Sequence, residues 1–243
     1  MHRLVLATPK LGGVTGRGTV WPTEQNRQAW DQRYGHLQRT VMRLPDAVRE
    51  RLPDLNGKHV LHLPCGTGEV SAELIALGAL VTGVDPSEQA LVEARERAPD
   101  AVFLQAELHE LPLQFRRGRF NLVYAGEGTL AAVSDLAAFA SAAAAALRKN
   151  GSLILYDWHP VSLCVEPVAL RWRENYFAED FVRLGQVVSA VANTGLTLQE
   201  LEELPPPASE AGGRLDPRVP TDVLLVAKKT EATVTASVRR TKR

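Results

Sequence analysis

The chain has 243 residues, of which 45% are hydrophobic and 23% charged, enough to bury the core of one domain with shorter terminal pieces. Its formal net charge is +0, which excludes a global field that would recruit nucleic acid, membrane or a strongly acidic partner. Two cysteines, Cys65 and Cys164, are too few for a disulfide framework, and no stretch reaches the ~18 apolar residues of a membrane span, so a cytoplasmic protein is expected.

Residues 1–20 mix Gly, Thr and Lys without periodicity and read as a loose arm. Residues 21–55 read as helical: Thr23 suits the cap of a helix holding Trp30 and Tyr34, and Leu37, Val41 and Leu44 fall in a second helical stretch. Asn56-Gly57 is a turn signal, and an alternation begins after it. His59 to Leu63 predicts a buried strand, and Gly68 to Leu77 a helix ended by Gly78. Leu80 to Val84 predicts a strand, and Ser87 caps a helix that Pro99 stops. Val102 to Gln105 and Phe120 to Tyr124 read as strands, and Ser134 to Lys149 as a helix closed by Asn150-Gly151, with Lys149 against its carboxyl end. Ser152 to Tyr156 predicts a strand, Leu184 to Thr194 a helix, and Leu196 to Leu201 and Val223 to Ala227 the last two strands.

Strands that alternate with helices imply a doubly wound α/β domain around a mostly parallel, seven-stranded sheet. The last two strands are separated by a Pro- and Gly-rich loop, Pro205 to Pro220, and no helix, so they should close the sheet as an antiparallel hairpin. The domain is expected over 56–228, followed by a solvated basic tail over 229–243.

Chemistry concentrates in Val60-Leu61-His62-Leu63-Pro64-Cys65-Gly66-Thr67-Gly68-Glu69, an apolar strand running through alternate glycines into a helix. Gly lets the backbone turn sharply and approach a ligand, and a helix amino end offers free N–H groups to ligand oxygens. Asp85, in Val84-Asp85-Pro86-Ser87, follows the loop by roughly the twenty residues expected of a carboxylate that accepts ribose hydroxyls. A dinucleotide fingerprint would carry a third Gly or Ala, and Ser71 stands there instead, so NAD is disfavoured but stays open.

Leu61 to Gly68 resembles the first motif of class I S-adenosylmethionine-dependent methyltransferases, and Val84 to Ser87 resembles their second. The chain departs from the usual form with His62 at an acidic position and Pro64 at the first Gly, in a Leu-His-Leu-x-Cys context similar to one group of small bacterial methyltransferases. The resemblance covers roughly residues 25 to 228 and implies a Rossmann-like fold that binds S-adenosylmethionine, with S-adenosylhomocysteine as product and no metal. It places His62, Pro64, Cys65, Gly66 and Gly68 at the methionine half, where His62 would bond the carboxylate or the amino group, and Asp85, Pro86 and Ser87 at the ribose.

Phe103 to Leu108 is similar to the family's third motif, so Glu107 and the Leu108 N–H would meet adenine. Phe120 to Thr129 is similar to the fourth, with Asn121 at a usual Asp, and Ala125 and Gly126 would leave room beside the sulfonium. Trp30 and Tyr34 would fold over the cofactor as a lid or pack in the core.

Methyl transfer from a sulfonium is an in-line displacement, so it needs a placed acceptor about 3 Å away and a base only if the acceptor is protonated. Glu127 and His159 are the catalytic candidates: Glu127 touches substrate or is an exposed loop acid, and His159 is a base, a substrate-orienting group or a packing residue. The segment 158–178, with Arg171, Trp172, Arg173, Tyr176 and Phe177, is where a small-molecule acceptor is expected. Nucleic acid and membrane partners are not expected, and the acceptor and oligomeric state are left undetermined. The competing readings are an NAD-dependent oxidoreductase and a cofactor-binding protein without catalysis.

Overall fold

The computed structural model describes residues 42–166, 171–172, 174–178, 181–206 and 218–230. Pro45 opens its first helix, α1 (Asp46–Arg49). Leu44, expected inside a helix, lies just before it, because the proline ring drives the preceding residue out of helical geometry. Its side chain is still buried, at 3% exposure. The remaining helical expectations before it, with Trp30, Tyr34 and the 1–20 arm, lie outside the described residues.

β1 (His59–Leu63) is buried at every residue after His59, the pattern of a strand covered on both faces. It leads through the glycine loop to α2 (Glu69–Ala76), β2 (Leu80–Asp85), α3 (Glu88–Arg97) and β3 (Val102–Gln105). Ser87 caps α3 as its type and place predict, its hydroxyl accepting the Ala90 N–H at 3.1 Å. The second half runs β4 (Phe120–Ala125), α4 (Thr129–Ala132), α5 (Leu136–Ala146) and β5 (Leu147–Trp158). After it come α6 (Pro160–Cys164), the short pair β6 (Val165–Glu166) and β7 (Arg171–Trp172), α7 (Leu184–Ala192), β8 (Thr197–Leu204) and β9 (Asp222–Lys228).

The seven-stranded sheet has the order β3-β2-β1-β4-β5-β9-β8, parallel through β5. β9 runs antiparallel to both β5 and β8, which is the closing hairpin the sequence implies. Strand alternation splits the core between the faces. Leu61, Leu63, Val123, Leu153 and Leu155 pack with Phe139, Ala143 and Val187 on one side, and Val60, Leu122, Tyr124 and Ile154 with Val48, Val70 and Leu74 on the other. Among the described residues no helix is long and apolar enough to cross a membrane.

One junction differs from the sequence reading. α5 stops at Ala146 and not at Lys149, and residues 147–150 already belong to β5. Tertiary partners end the helix there. Gly118 N–H donates to Ala145 O at 3.0 Å, and Lys229 Nζ donates to Ala144 O and Leu147 O at 2.8 and 2.7 Å. The ammonium that serves this carboxyl end thus comes from Lys229, on the last strand's extension, where the sequence pointed to Lys149. A register shift between Phe120 and Leu122 absorbs the irregularity.

Candidate functional site

The chain leaves β1 towards β2 on one side and returns through β4 on the other, so the carboxyl ends of β1, β2 and β4 surround the point where the strand order reverses. The glycine loop sits there. Cys65 N–H donates to Val84 O at 3.0 Å, and Gly68 N–H to Cys65 O at 3.1 Å. Gly66 and Gly68 adopt φ of 52° and 86°. A Cβ on Gly68 would stand 2.8 Å from Ala94 Cα, so the loop admits α3 this closely only because a side chain is missing. Arg97 fastens the outer side: its guanidinium donates to Thr67 O and lies 3.0 Å from Glu69 Oε1. Burial pushes the Cys65 thiol up, so it is a neutral packing group.

Asp85 ends β2 with its side chain in the loop. Its Oδ2 accepts the Gly66 N–H at 2.8 Å and its Oδ1 the Ser87 N–H at 2.9 Å, at 1% residue exposure. Both oxygens of the carboxylate are thus engaged by backbone amides at the carboxyl end of β2. They also make Asp85 a structural tie between the glycine loop and the start of α3. Beyond it, Ala106 N–H donates to Asp85 O at 3.2 Å, Gln105 Nε2 to Pro86 O at 3.0 Å, and Glu107 is 7% exposed. The Leu108 side chain is wholly buried in the core, which fixes its backbone beside Glu107.

His62 is buried, at 3% exposure. Its Nδ1 lies 2.8 Å from Ser71 Oγ, and its ring stacks on Tyr124 with centroids 5.2 Å apart. Burial lowers its pKa from 6.5 to about 3, so it is neutral at physiological pH. The two sequence oddities, His62 at an acidic position and Ser71 at a third-glycine position, are therefore one interaction.

The third side of the site is the turn after β4. Gly126 N–H donates to Leu63 O at 2.8 Å, and Thr129 Oγ1 lies 2.6 Å from Gly126 O. Ala125 and Gly126 are buried beside the end of β1, and Glu127 is half-buried. Sequence reasoning gave Asp157 no role, yet it holds this turn. Its Oδ1 accepts the Gly128 N–H at 2.9 Å and its Oδ2 the Leu130 N–H at 2.7 Å. Trp158 N–H adds a third bond at 2.8 Å. Burial raises its carboxyl from 3.8 to about 6 against the lowering effect of these amides. The available signal was an acid at the end of a strand buried on both faces, which is expensive unless satisfied.

His159 faces the other way, towards β8 and β9. Its N–H donates to Thr221 O at 2.8 Å, and its Nδ1 accepts the Val161 N–H at 3.1 Å, capping α6. That acceptor role assigns the ring proton to Nε2, which lies 2.8 Å from Glu203 Oε1 but off the line of a good hydrogen bond. Burial lowers its pKa, and Glu203 opposes the shift. In the segment after it, Trp172 and Phe177 are 66% and 72% exposed, and Tyr176 packs between Phe177 and Phe181. Arg173 lies outside the described residues, among which no group of three or more His, Cys, Asp or Glu could hold a metal ion.

Residues 60–151 match a family model described as a methyltransferase domain. The chain is 32% identical over 111 residues to an uncharacterised methyltransferase of Synechocystis, covering 45% of this chain and 51% of that protein. It is 29% identical over 155 residues to a ubiquinone biosynthesis O-methyltransferase of Bradyrhizobium diazoefficiens, covering 58% of each. The chain thus spans between half and three-fifths of the length of these curated relatives. Among solved structures, an S-adenosylmethionine-dependent methyltransferase from Mesorhizobium loti superposes with a TM-score of 0.61 at 23% identity, over 75% of this chain and 95% of that one.

Proposed function

We propose, for a chain that belongs to the class I S-adenosylmethionine-dependent methyltransferase family, that it transfers a methyl group from S-adenosylmethionine to a small-molecule acceptor. One observation carries the reading: the tie from Gly66 N–H to Asp85 Oδ2, 2.8 Å long, sets a left-handed glycine loop and a ribose-type carboxylate side by side where the strand order reverses. The missing side chain at Gly68, where a Cβ would stand 2.8 Å from Ala94 Cα, lets α3 pack against this loop and supports the reading.

When bound, S-adenosylmethionine supplies a methyl group on a positively charged sulfur, a leaving group that needs no further activation. Asp85, at the end of β2 beside the glycine loop, would accept the ribose hydroxyls, with Pro86 and Ser87 leading from it into α3. The amino end of α2, reached through Pro64, Cys65, Gly66 and Gly68, attracts the methionine carboxylate. His62, neutral and paired to Ser71 of α2, would carry no charge to the ligand. Glu107 and the Leu108 backbone would bind adenine, and Ala125 and Gly126 would leave room for the methyl group, while Trp30 and Tyr34, outside the described residues, are candidates for a lid or for core packing.

On the acceptor side Glu127, half-buried in the turn after β4, would take a proton from a hydroxyl. His159, whose Nδ1 already caps α6, orients the segment that meets the acceptor. An oxygen acceptor is favoured by the name of the Bradyrhizobium relative, an O-methyltransferase. An NAD-dependent oxidoreductase is disfavoured: Ser71 replaces the third glycine, and its hydroxyl is committed to His62.

The test is calorimetric titration with S-adenosylmethionine, S-adenosylhomocysteine and NAD in parallel. Micromolar binding of the first two and none of NAD is the expected result. Binding of NAD alone would overturn the proposal.

A further inference from the structure

We infer that Asp157 is a positioning residue for the methyl-transfer end of the site: its carboxylate sets the turn Gly126–Leu130 and thereby the space in which the methyl group and acceptor meet. The inference rests on the cofactor reading above and deepens it.

Three features converge on this. The Asp157 side chain is 2% exposed and accepts two amides from the turn, Gly128 at 2.9 Å and Leu130 at 2.7 Å, one on each oxygen. The two bonds span Gly128, whose φ of 90° makes it a left-handed hinge, and the first turn of α4. A carboxylate at the start of such a turn meets N–H groups that have no partner within it. The other end of the same turn is pinned by Gly126 N–H to Leu63 O at 2.8 Å, at the last residue of β1 before the glycine loop. The turn is therefore stretched between two strand ends, with Glu127 carried in the middle. Asp157 does not have to touch ligand to act; moving its two amide partners moves Gly126 and Glu127.

A carboxylate is also costly in this place, because burial favours its protonated form and Asp222 on β9 adds a like charge. A purely structural need could be met by an apolar side chain and a differently capped turn. Two carboxylate oxygens, each accepting a different amide of the turn, orient it at two points at once.

The experiment compares wild type with Asp157→Asn and, independently, Gly128→Ala in the full chain. Asn replaces one acceptor oxygen with a donor facing an amide, and Ala strains the same turn from the other side of the bond. Affinity is measured for S-adenosylmethionine, S-adenosylhomocysteine and adenosine, with hydrogen exchange of peptides covering 126–132. We expect both variants to bind S-adenosylmethionine at least tenfold more weakly and to change its affinity ratio to S-adenosylhomocysteine. Adenosine, held at the β2 and β3 ends, should stay within twofold, and exchange over 126–132 should quicken. Equal weakening of all three ligands, which a merely structural role produces, would overturn the inference, as would quickened exchange with every affinity unchanged. A wild type that binds none of the three ligands would defeat the cofactor reading first, and this inference with it. Failure of the inference alone shows only in the variants.

Discussion

The glycine loop and the turn after β4 sit at the same end of the sheet, and both carry a strand into a helix through left-handed glycines. They are held in different ways. The glycine loop is tied locally, by Asp85 19 residues on and by Ser71 9 residues from His62. The later turn is held by Asp157, 29 residues away across β5, and the strand that carries Asp157 is itself flanked by β9, the last strand of the sheet. Half of the site is thus a local motif that merely needs its strand pair. The other half is tied to two strands at once, to β5 through Asp157 and to the end of β1 through Leu63.

The contrast can be broken most severely at Gly68. Gly68→Ala puts a side chain on a residue at φ 86° and 2.8 Å from Ala94 Cα. A loss of about 2–4 kcal/mol is expected in urea denaturation from strain and overpacking together. Wild-type stability would show that α3 gives way freely and that the loop is not close-packed.

Asp85→Ala comes next. It should weaken S-adenosylmethionine binding by roughly 100-fold, the size of two charge-assisted hydrogen bonds at the low end of their range. The bonds to Gly66 and Ser87 predict an added stability loss of about 2 kcal/mol. Calorimetry and denaturation together separate the two effects, and unchanged affinity would remove Asp85 from the ribose.

His62 sharpens the comparison through pH. Its folded-state pKa, about 3, lies below the ordinary 6.5, so the unfolded chain takes up the proton first. Its contribution is complete above pH 6.5 and is lost as pH falls towards about 3. Between pH 6.5 and about pH 5 the loss amounts to about 2 kcal/mol. Asp157 acts in the opposite sense, since its raised carboxyl makes the unfolded chain ionise first between 3.8 and about 6. The informative quantity is therefore the difference between wild type and His62→Gln at each pH, in which Asp157 cancels. A difference that does not change with pH would mean that His62 is not held neutral.

The smallest effect is expected at Arg51, whose guanidinium joins α1 to β8 through Glu200 and Glu202 at 2.7 and 2.6 Å. Both acids are more than a third exposed, so Arg51→Ala should cost no more than about 1 kcal/mol, and less at high salt. A larger loss would make this corner part of the closing hairpin's stability.

What could be read from the chain alone follows the same division. Alternating apolar strands, Ser87 before α3, glycines at 66 and 68, and a carboxylate at the end of β2 are signals within a few turns of chain, and they determined the α/β class, the closing hairpin and where the glycine loop meets β2. The physical reason is that backbone conformation, capping and strand burial depend on near neighbours. The tertiary structure alone decided that α5 ends on Lys229, that His62 and Ser71 are one pair, that His159 serves as a helix cap, and that Asp157 holds the turn after β4. Each is a polar group whose partner is set by strand order or by two faces meeting. A buried hydrogen bond has to be satisfied by whatever the fold brings within 3 Å or so, and sequence distance carries no information about that.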